Sequence, residues 1–287
     1  MASATSGGGS RLTMWLNMPR DPELDTFALQ ASIGLFAFWW FMFFIVGNYH
    51  YLPSSWRKIL KPYDELVIRH RIVDMYNGAG MFCVSLYWYL NDNDYSCSKR
   101  NTRLEIFTFC NLAAHFIWDL TFMWWHGFLD MGNFMHHAFG ITIYYTTLFQ
   151  QYNFNFTMMH LLPGEFTNVS MHIREVFKRL GYRYTWLYYF NEYFYCFFYT
   201  TCRTIWIPWV YLYIFPCESA NPVIWVFYPC HCVQSWYYVS KLPKLWSMRN
   251  EERSKLKKAG LTLRWFEPIT EEQVKEAKIV SREVYKM

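Results

Sequence analysis

The chain has 287 residues, of which 53% are hydrophobic and 22% aromatic, and its formal net charge at pH 7 is +5. Its mean hydropathy of -0.04 is typical of a soluble protein, but that scale scores Trp and Tyr as polar, and the chain holds 15 Trp and 23 Tyr. The basic residues are scattered along the flanks of apolar runs and form no nucleic-acid-binding module, which excludes nucleic acid as a partner and makes the charge a topology signal.

Apolar runs of membrane-crossing length recur from residue 27 onward. Residues 27–46 carry no charge and are long enough to cross the roughly 30 Å hydrocarbon core of a bilayer. Residues 186–215 contain only two charged side chains, Glu192 and Arg203. We therefore predict an all-α, multi-span transmembrane helical bundle of about seven spans, and reject a soluble aromatic-rich domain. The predicted spans are residues 27–48, 68–90, 104–125, 133–151, 156–178, 187–214 and 222–241.

The segments around these spans predict three regions. The Ser/Gly-rich N-terminus lacks the apolar core of a cleavable signal peptide, so residues 1–26 are predicted to be a flexible tail, followed by the transmembrane domain over 27–242. Residues 51–63 mix aromatic and basic side chains between two prolines, which is typical of an interfacial connection. Pro163-Gly164 predicts an interruption of the fifth span. Residues 243–287 form a charged, soluble tail, in which a capping-box signature predicts a helix from about Glu271 to Tyr285.

The loop charges predict the orientation of the chain. Basic clusters at 57–61 and 178–183 and the basic tail fall on one side, so the C-terminus faces the cytoplasm or the mitochondrial matrix. Cys97 and Cys217 fall on the opposite side and could pair, but we favour free thiols because the eight cysteines form no framework. Cys230-His231-Cys232 lacks a second cluster, so we predict packing there and no metal site.

Polar side chains cluster in and between the third and fourth spans, where they are costly unless they pair or serve a function. His115 and Asp119 are four residues apart and share one helix face, so Asp119 can orient an imidazole. His136 and His137 lie near the start of the next span. Such a set can support acid–base or nucleophilic chemistry, bind a lipid headgroup, or only hold helices together.

A second polar stripe lies in the fifth span. Glu165, Asn168 and His172 fall at i, i+3 and i+7, which places them on one helix face. Arg203 in the sixth span is expensive without a partner, so we expect a carboxylate such as Glu165 or Asp119 beside it.

The order of these motifs resembles the TLC domain family. Asp-Leu is followed by His-His, then by L-L-P-G-E-F-T-N-V-S-M-H-I-R-E-V-F-K-R-L-G and by an aromatic span with an R-x-x-x-x-P pattern. The resemblance covers about residues 65–240, and residues 69–78 resemble the opening of the family's second span. The matching residues are Asp119, Leu120, His136, His137, Glu165, Arg174, Gly181, Arg203, Pro208 and either Tyr211 or Tyr213.

The chain resembles the smaller TLC-domain proteins more closely than the ceramide synthases. This resemblance implies lipid binding or membrane-lipid homeostasis through a polar intramembrane pocket, without catalysis and in the endoplasmic reticulum. Membrane lipids are the expected partners, and a bound phospholipid or acyl chain takes the place of a cofactor. The predicted ligand-binding residues are His115, Glu165, Asn168, His172 and Arg203.

Two alternatives remain open at this stage. The first is an accessory or structural subunit of a larger membrane complex, with the mitochondrial inner membrane as its location. The second is an acyl-CoA-dependent N-acyltransferase of the ceramide-synthase type. In that case the resemblance implies that His136 and His137 act as base or acyl-accepting nucleophile and that Asp119 orients them.

Overall fold

The protein is all-α, as the sequence predicts. The computed structural model describes residues 11–49, 60–92, 94–97, 99–277 and 279, and these contain no strand, only an isolated antiparallel bridge between Arg100 and Tyr152. A 3₁₀ turn spans Tyr182–Tyr184 and a π-helix spans Cys202–Trp206. The α-helices are α1 (Arg11–Leu16), α2 (Pro22–Tyr49), α3 (Pro62–Asn91), α4 (Arg103–Trp125), α5 (Met131–Gln150), α6 (Phe154–Arg179), α7 (Trp186–Thr201), α8 (Ile207–Ile214), α9 (Pro222–Val239), α10 (Leu242–Lys258) and α11 (Glu271–Glu276).

Each of the seven predicted spans falls on helical structure. Six correspond to α2 to α6 and α9, and the sixth span in chain order is divided into α7, the π-helix and α8. Among the described residues, two segments are long and apolar enough to be candidate spans by length and composition, Pro22–Val46 and Arg103–Trp125. The remaining segments carry polar side chains that lower their mean hydropathy.

The predicted interruption at Pro163-Gly164 is wrong. Helix α6 runs without a break from Phe154 to Arg179. Proline removes one backbone donor, but every other backbone group must still be satisfied in apolar surroundings, and the helix does this best. The Thr167 hydroxyl donates to the Gly164 carbonyl at 2.8 Å, which adds a partner next to the proline.

The π-helix precedes a proline. Pro208 lies one residue into α8, where an α-helix would place its ring against the carbonyl of Thr204. A wider turn over Cys202–Trp206 relieves this crowding, and such turns are frequent at functional sites. Arg203 lies within the π-helix and is buried.

The C-terminal helix starts where the capping-box signature predicts but is shorter than expected. The Thr270 hydroxyl accepts from the Gln273 amide, and the Gln273 side chain accepts from the Thr270 amide. Helix α11 ends at Glu276 with Ala277 as its C-cap, so the prediction of one continuous helix to Tyr285 is wrong. Residues 278 and 280–285 of the predicted helix lie outside the described residues. The same holds for residues 51–59 of the predicted interfacial connection, and for residues 1–10, 50, 286 and 287.

The helices are grouped in two compact units, each described by itself. The first unit comprises residues 11–39, 84–160 and 207–233, and its core holds Phe109, Trp118 and Phe122. The second comprises residues 40–83, 161–206 and 234–279, and its core includes Ile68 and Tyr188. α2, α3, α6 and α9 each contribute residues to both units.

A disulfide and a buried lysine mark one end of the first unit. Cys97 and Cys217 are bonded, with a Cα–Cα distance of 5.5 Å, so our preference for free thiols is wrong. The Lys99 ammonium contacts Asp92 and donates to Glu105 Oε1 at 2.9 Å. Burial opposes the charged form of Lys99, but the hydrogen bonds that its ammonium donates to these two carboxylates prevail and raise its pKa above the ordinary 10.5.

A chain of alternating charges ties α10 to α6 and α7 within the second unit. Arg174 Nε donates to Glu192 at 2.7 Å, and Arg249 Nε donates to the other oxygen of Glu192 at 2.9 Å. Arg249 Nη1 also donates to Glu252 at 2.7 Å, and Arg183 donates to the remaining Glu252 oxygen at 2.8 Å. Because all five side chains are buried, each charge depends on its neighbours for compensation.

Candidate functional site

Asp119 and His137 form a buried pair in the first unit. Asp119 lies on α4 and His137 on α5, and Oδ2 of the aspartate is 2.7 Å from Nε2 of the imidazole. The two side chains are 8% and 7% exposed, so water competes little for this contact. This contact places Asp119 where it can orient one of the two paired histidines.

The second nitrogen of His137 is also engaged. Nδ1 lies 2.7 Å from the carbonyl oxygen of Asn133, one turn earlier in α5. Because a carbonyl only accepts, Nδ1 carries a proton, and Nε2 is the nitrogen that faces Asp119. His137 therefore presents no lone pair to a substrate unless one of these bonds breaks, which makes it a positioning residue.

An aromatic wedge packs beside the histidine pair. The Phe116 ring on α4 lies 4.9 Å from the His137 ring and 5.7 Å from the His136 ring, measured between centroids. Gly140 on α5 accommodates this ring, because a Cβ there would overlap the Phe116 ring atoms. The small residue thus sets the approach of α4 and α5 at the site.

His136 begins a row of imidazoles that the sequence did not predict. Its ring lies 5.1 Å from the ring of His231 on α9, which lies 5.5 Å from the ring of His160 on α6. His160 Nδ1 is 2.9 Å from the Tyr228 hydroxyl. Since Tyr228 donates to the Ile207 carbonyl at 3.2 Å, its oxygen accepts from His160. We call His136, His231, His160 and Tyr228 the imidazole row; its three histidines are half-buried.

His115 does not belong to this row. Its ring is buried and lies edge-on to Trp39 at 4.8 Å and 5.4 Å from Trp118, between centroids. His126, in the loop after α4, is exposed and stacks between Phe122 and Phe128 at the edge of the unit.

The predicted polar stripe of α6 lies in the second unit and is buried or half-buried. Asn168 Nδ2 donates to Glu165 Oε2 at 3.1 Å. The helix α3 packs closely here, because a Cβ added to Gly78 would lie 3.4 Å from the Glu165 carboxylate and 3.3 Å from Val169. The structure thus brings Glu165 and Asn168 together, as the spacing predicts.

His172 faces an aspartate that sequence reasoning missed. Its Nδ1 is 3.6 Å from Asp74 Oδ2, and the same oxygen lies 3.5 Å from His70 Nδ1. Arg71 also donates to it at 3.2 Å. The i, i+4 spacing of His70 and Asp74 on α3 was the available signal. The group is an acidic centre surrounded by two imidazoles and a guanidinium.

Arg203 packs against Tyr199, with its guanidinium carbon 5.1 Å from the ring centroid. Its carbonyl accepts from Trp236 Nε1 at 3.2 Å. The carboxylate partner expected for its guanidinium stays a prediction.

Residues 67–239 match the family described as TLC domain. The chain belongs to the TLC domain family. No curated protein matches the chain in sequence. The matched segment includes the imidazole row, the Asp119–His137 pair, Glu165 and Arg203, whereas α2 precedes it and α10 follows it.

The TLC domain, together with the apolar helices, identifies a membrane protein with a role in lipid biology. The assignment to the smaller TLC-domain proteins, the organelle and the side of the C-terminus stay predictions.

Proposed function

We propose that this TLC-domain protein binds a membrane lipid without converting it, and that the imidazole row holds the polar part of that lipid. The observation that carries the proposal is the presence of three half-buried imidazoles on three helices of a membrane domain. A polar row of this kind is costly in hydrocarbon unless it meets polar groups.

The chemistry of the row suits the headgroup and linkage region of a lipid. A neutral imidazole offers one donor and one acceptor. In His160 the Nδ1 donor is directed at the Tyr228 hydroxyl. Esters and phosphates accept hydrogen bonds, so imidazoles, which carry both donor and acceptor nitrogens, suit the polar groups of a lipid.

The Asp119–His137 pair supports this binding indirectly. It fixes α4 against α5 and thereby sets the position of His136, whose ring lies 5.5 Å from that of His137. The proposal also assigns a second polar contact region to Glu165, Asn168, His172 and Arg203 in the second unit, and gives His115 a packing role.

Lipid retention tests the proposal. We would replace His136 or His231 with Phe and count the lipids that remain on the purified protein by native mass spectrometry. Each variant should lose one lipid that the wild type retains. The matched control is His126→Phe, since His126 already stacks between two phenylalanines outside the row, and it should retain the lipid. Equal retention in all three variants would reject the proposal.

The short Asp119–His137 contact also favours a second candidate, an N-acyltransferase. The amine nitrogen of a sphingoid base would attack the thioester carbonyl of acyl-CoA, forming the C–N bond, breaking the C–S bond and releasing CoA with the amine proton. His136 would be the base, because both nitrogens of His137 are engaged. Amide formed by the wild type and not by His136→Ala would establish this activity; no amide above the protein-free rate would dismiss it.

A further inference from the structure

A large apolar cavity lies in the first unit, and its lining includes no residue of the imidazole row or of the Asp119–His137 pair. Its volume is about 550 Å³, within the range of small-molecule sites. It lies between α2, α4 and α5, and its wall is formed mainly by apolar side chains such as Leu29, Ile33 and Leu148. Helix α2 precedes the matched TLC segment, so part of the cavity wall lies outside that segment.

One end of the cavity is polar. Arg20 and Asp25 line it and form an ion pair of 2.8 Å, with side chains 47% and 37% exposed. The other oxygen of Asp25 accepts from Gln151 at 2.8 Å, whereas Arg20 uses one of its five donors in this pair. The guanidinium also lies over the Phe149 ring at 5.4 Å.

The position of helix α2 indicates how deep this polar end of the cavity lies in the membrane. The candidate span begins at Pro22, two residues after Arg20, so the ion pair lies where a membrane-crossing α2 enters the interface. Further into the cavity the lining is apolar apart from Ser32 and Tyr145. The cavity therefore runs from an interfacial ion pair into the hydrocarbon region.

We infer that this cavity holds one acyl chain of a phospholipid with a zwitterionic headgroup, bound by Arg20 and Asp25. The phosphate would take the donors of Arg20, and the ammonium would lie near Asp25. A zwitterion fits better than an anion because the charges around the mouth balance. Arg20 pairs with Asp25 at 2.8 Å, Arg100 with Asp21 at 4.0 Å, and Arg103 with Glu23 at 4.0 Å. This second lipid site goes beyond the proposed function and is independent of the imidazole row.

The first experiment tests the site by filling the cavity with a larger side chain. In Ala28→Phe, a ring is added to a lining residue, whereas Ala37→Phe adds the same ring on an exposed face of the same helix that does not line the cavity. The full chain would be reconstituted with an equimolar mixture of phosphatidylcholine and phosphatidylglycerol, and the lipids retained after extraction would be counted by native mass spectrometry. Ala28→Phe should lose one phosphatidylcholine and Ala37→Phe should lose none.

The headgroup is tested in the same mixture. Arg20→Gln should reduce retained phosphatidylcholine at least threefold, while Arg264→Gln, the same change at an exposed ion pair outside the cavity lining, should not. Equal retention in both Phe variants would show a surface lipid only and overturn the site; preferential retention of phosphatidylglycerol would overturn the headgroup. Because His136→Phe removes a different lipid, the double variant with Ala28→Phe should lose two, and either loss alone identifies which proposal has failed.

Discussion

Asp119 and His137 are 18 residues apart, on neighbouring helices, and their side chains meet at 2.7 Å in a buried contact. Removing one member of a buried hydrogen-bonded pair leaves the polar group of the other unsatisfied, which costs about 1–3 kcal/mol and more for a charged group. We therefore expect Asp119→Asn and His137→Asn each to lower the free energy of unfolding by about 3 kcal/mol, measured by denaturant titration in detergent.

The double variant distinguishes a direct contact from two separate effects. Since the partners share one interaction, Asp119→Asn combined with His137→Asn should cost clearly less than the sum of the single costs. Strict additivity would show that the pair does not interact.

Gly140 offers a way to move the site without changing a histidine. A methyl group there would overlap Phe116, which packs on both His136 and His137. Gly140→Ala should destabilise the protein by about 1–3 kcal/mol through overpacking, and it should also weaken lipid retention. Gly34→Ala is the control, because a Cβ at Gly34 meets no atom within 4 Å. Equal thermal midpoints for the two variants would contradict this packing.

The charge chain of the second unit predicts a contrast within α10. Glu252 is buried and bridges Arg249 and Arg183, whereas Glu251 forms an exposed pair with Lys255. Glu252→Gln should therefore cost about 3 kcal/mol, and Glu251→Gln less than about 1 kcal/mol. Calorimetric midpoints that fall equally would show that the tail is not held by this network.

The disulfide predicts how many cysteines react. Without reduction, denatured protein should take up alkylating reagent at six cysteines, and after reduction at all eight. Because the bond closes a loop with a sequence separation of 120 residues, Cys97→Ser should lower stability by about 2–5 kcal/mol. Cys83→Ser, at an exposed free thiol, is the control. Eight alkylated cysteines without reductant would contradict the pairing.

Lys99 predicts an alkaline loss of stability. Because its pKa is raised in the folded protein by Asp92 and Glu105, against the opposing effect of burial, its stabilisation is complete below about 10.5 and is lost as the pH rises through the folded value. Lys99→Met should be less stable at neutral pH and should lose less stability than the wild type between pH 10 and 12. Parallel pH curves for thermal unfolding would refute the assignment.

The apolar runs were sufficient to predict the helices, because a helix is the way an isolated segment satisfies its backbone in hydrocarbon. The same reasoning failed at Pro163-Gly164, where the signal of a helix breaker was weaker than the backbone requirement. It also failed at Cys97 and Cys217, because no local pattern encodes which distant thiols meet.

The candidate site was predicted in part. Asp119, His136 and His137 stood out as polar groups in apolar runs, and their neighbourhood is confirmed in the first unit. His160 and His231 were not singled out as site residues because each is a lone histidine within an apolar run. Their proximity to His136 depends on the packing of α5, α6 and α9, which the sequence pattern does not specify.

The most direct test of the central claim is to locate a bound lipid by photocrosslinking. A phospholipid with a photoreactive group in its headgroup would be incorporated into nanodiscs with the full chain, and labelled peptides would be mapped by mass spectrometry. Lipid binding by the imidazole row predicts labels on α5 near His136 and on α9 near His231, reduced in His136→Phe and retained in His126→Phe. Labels confined to exposed residues away from these helices, unchanged in both variants, would contradict the account.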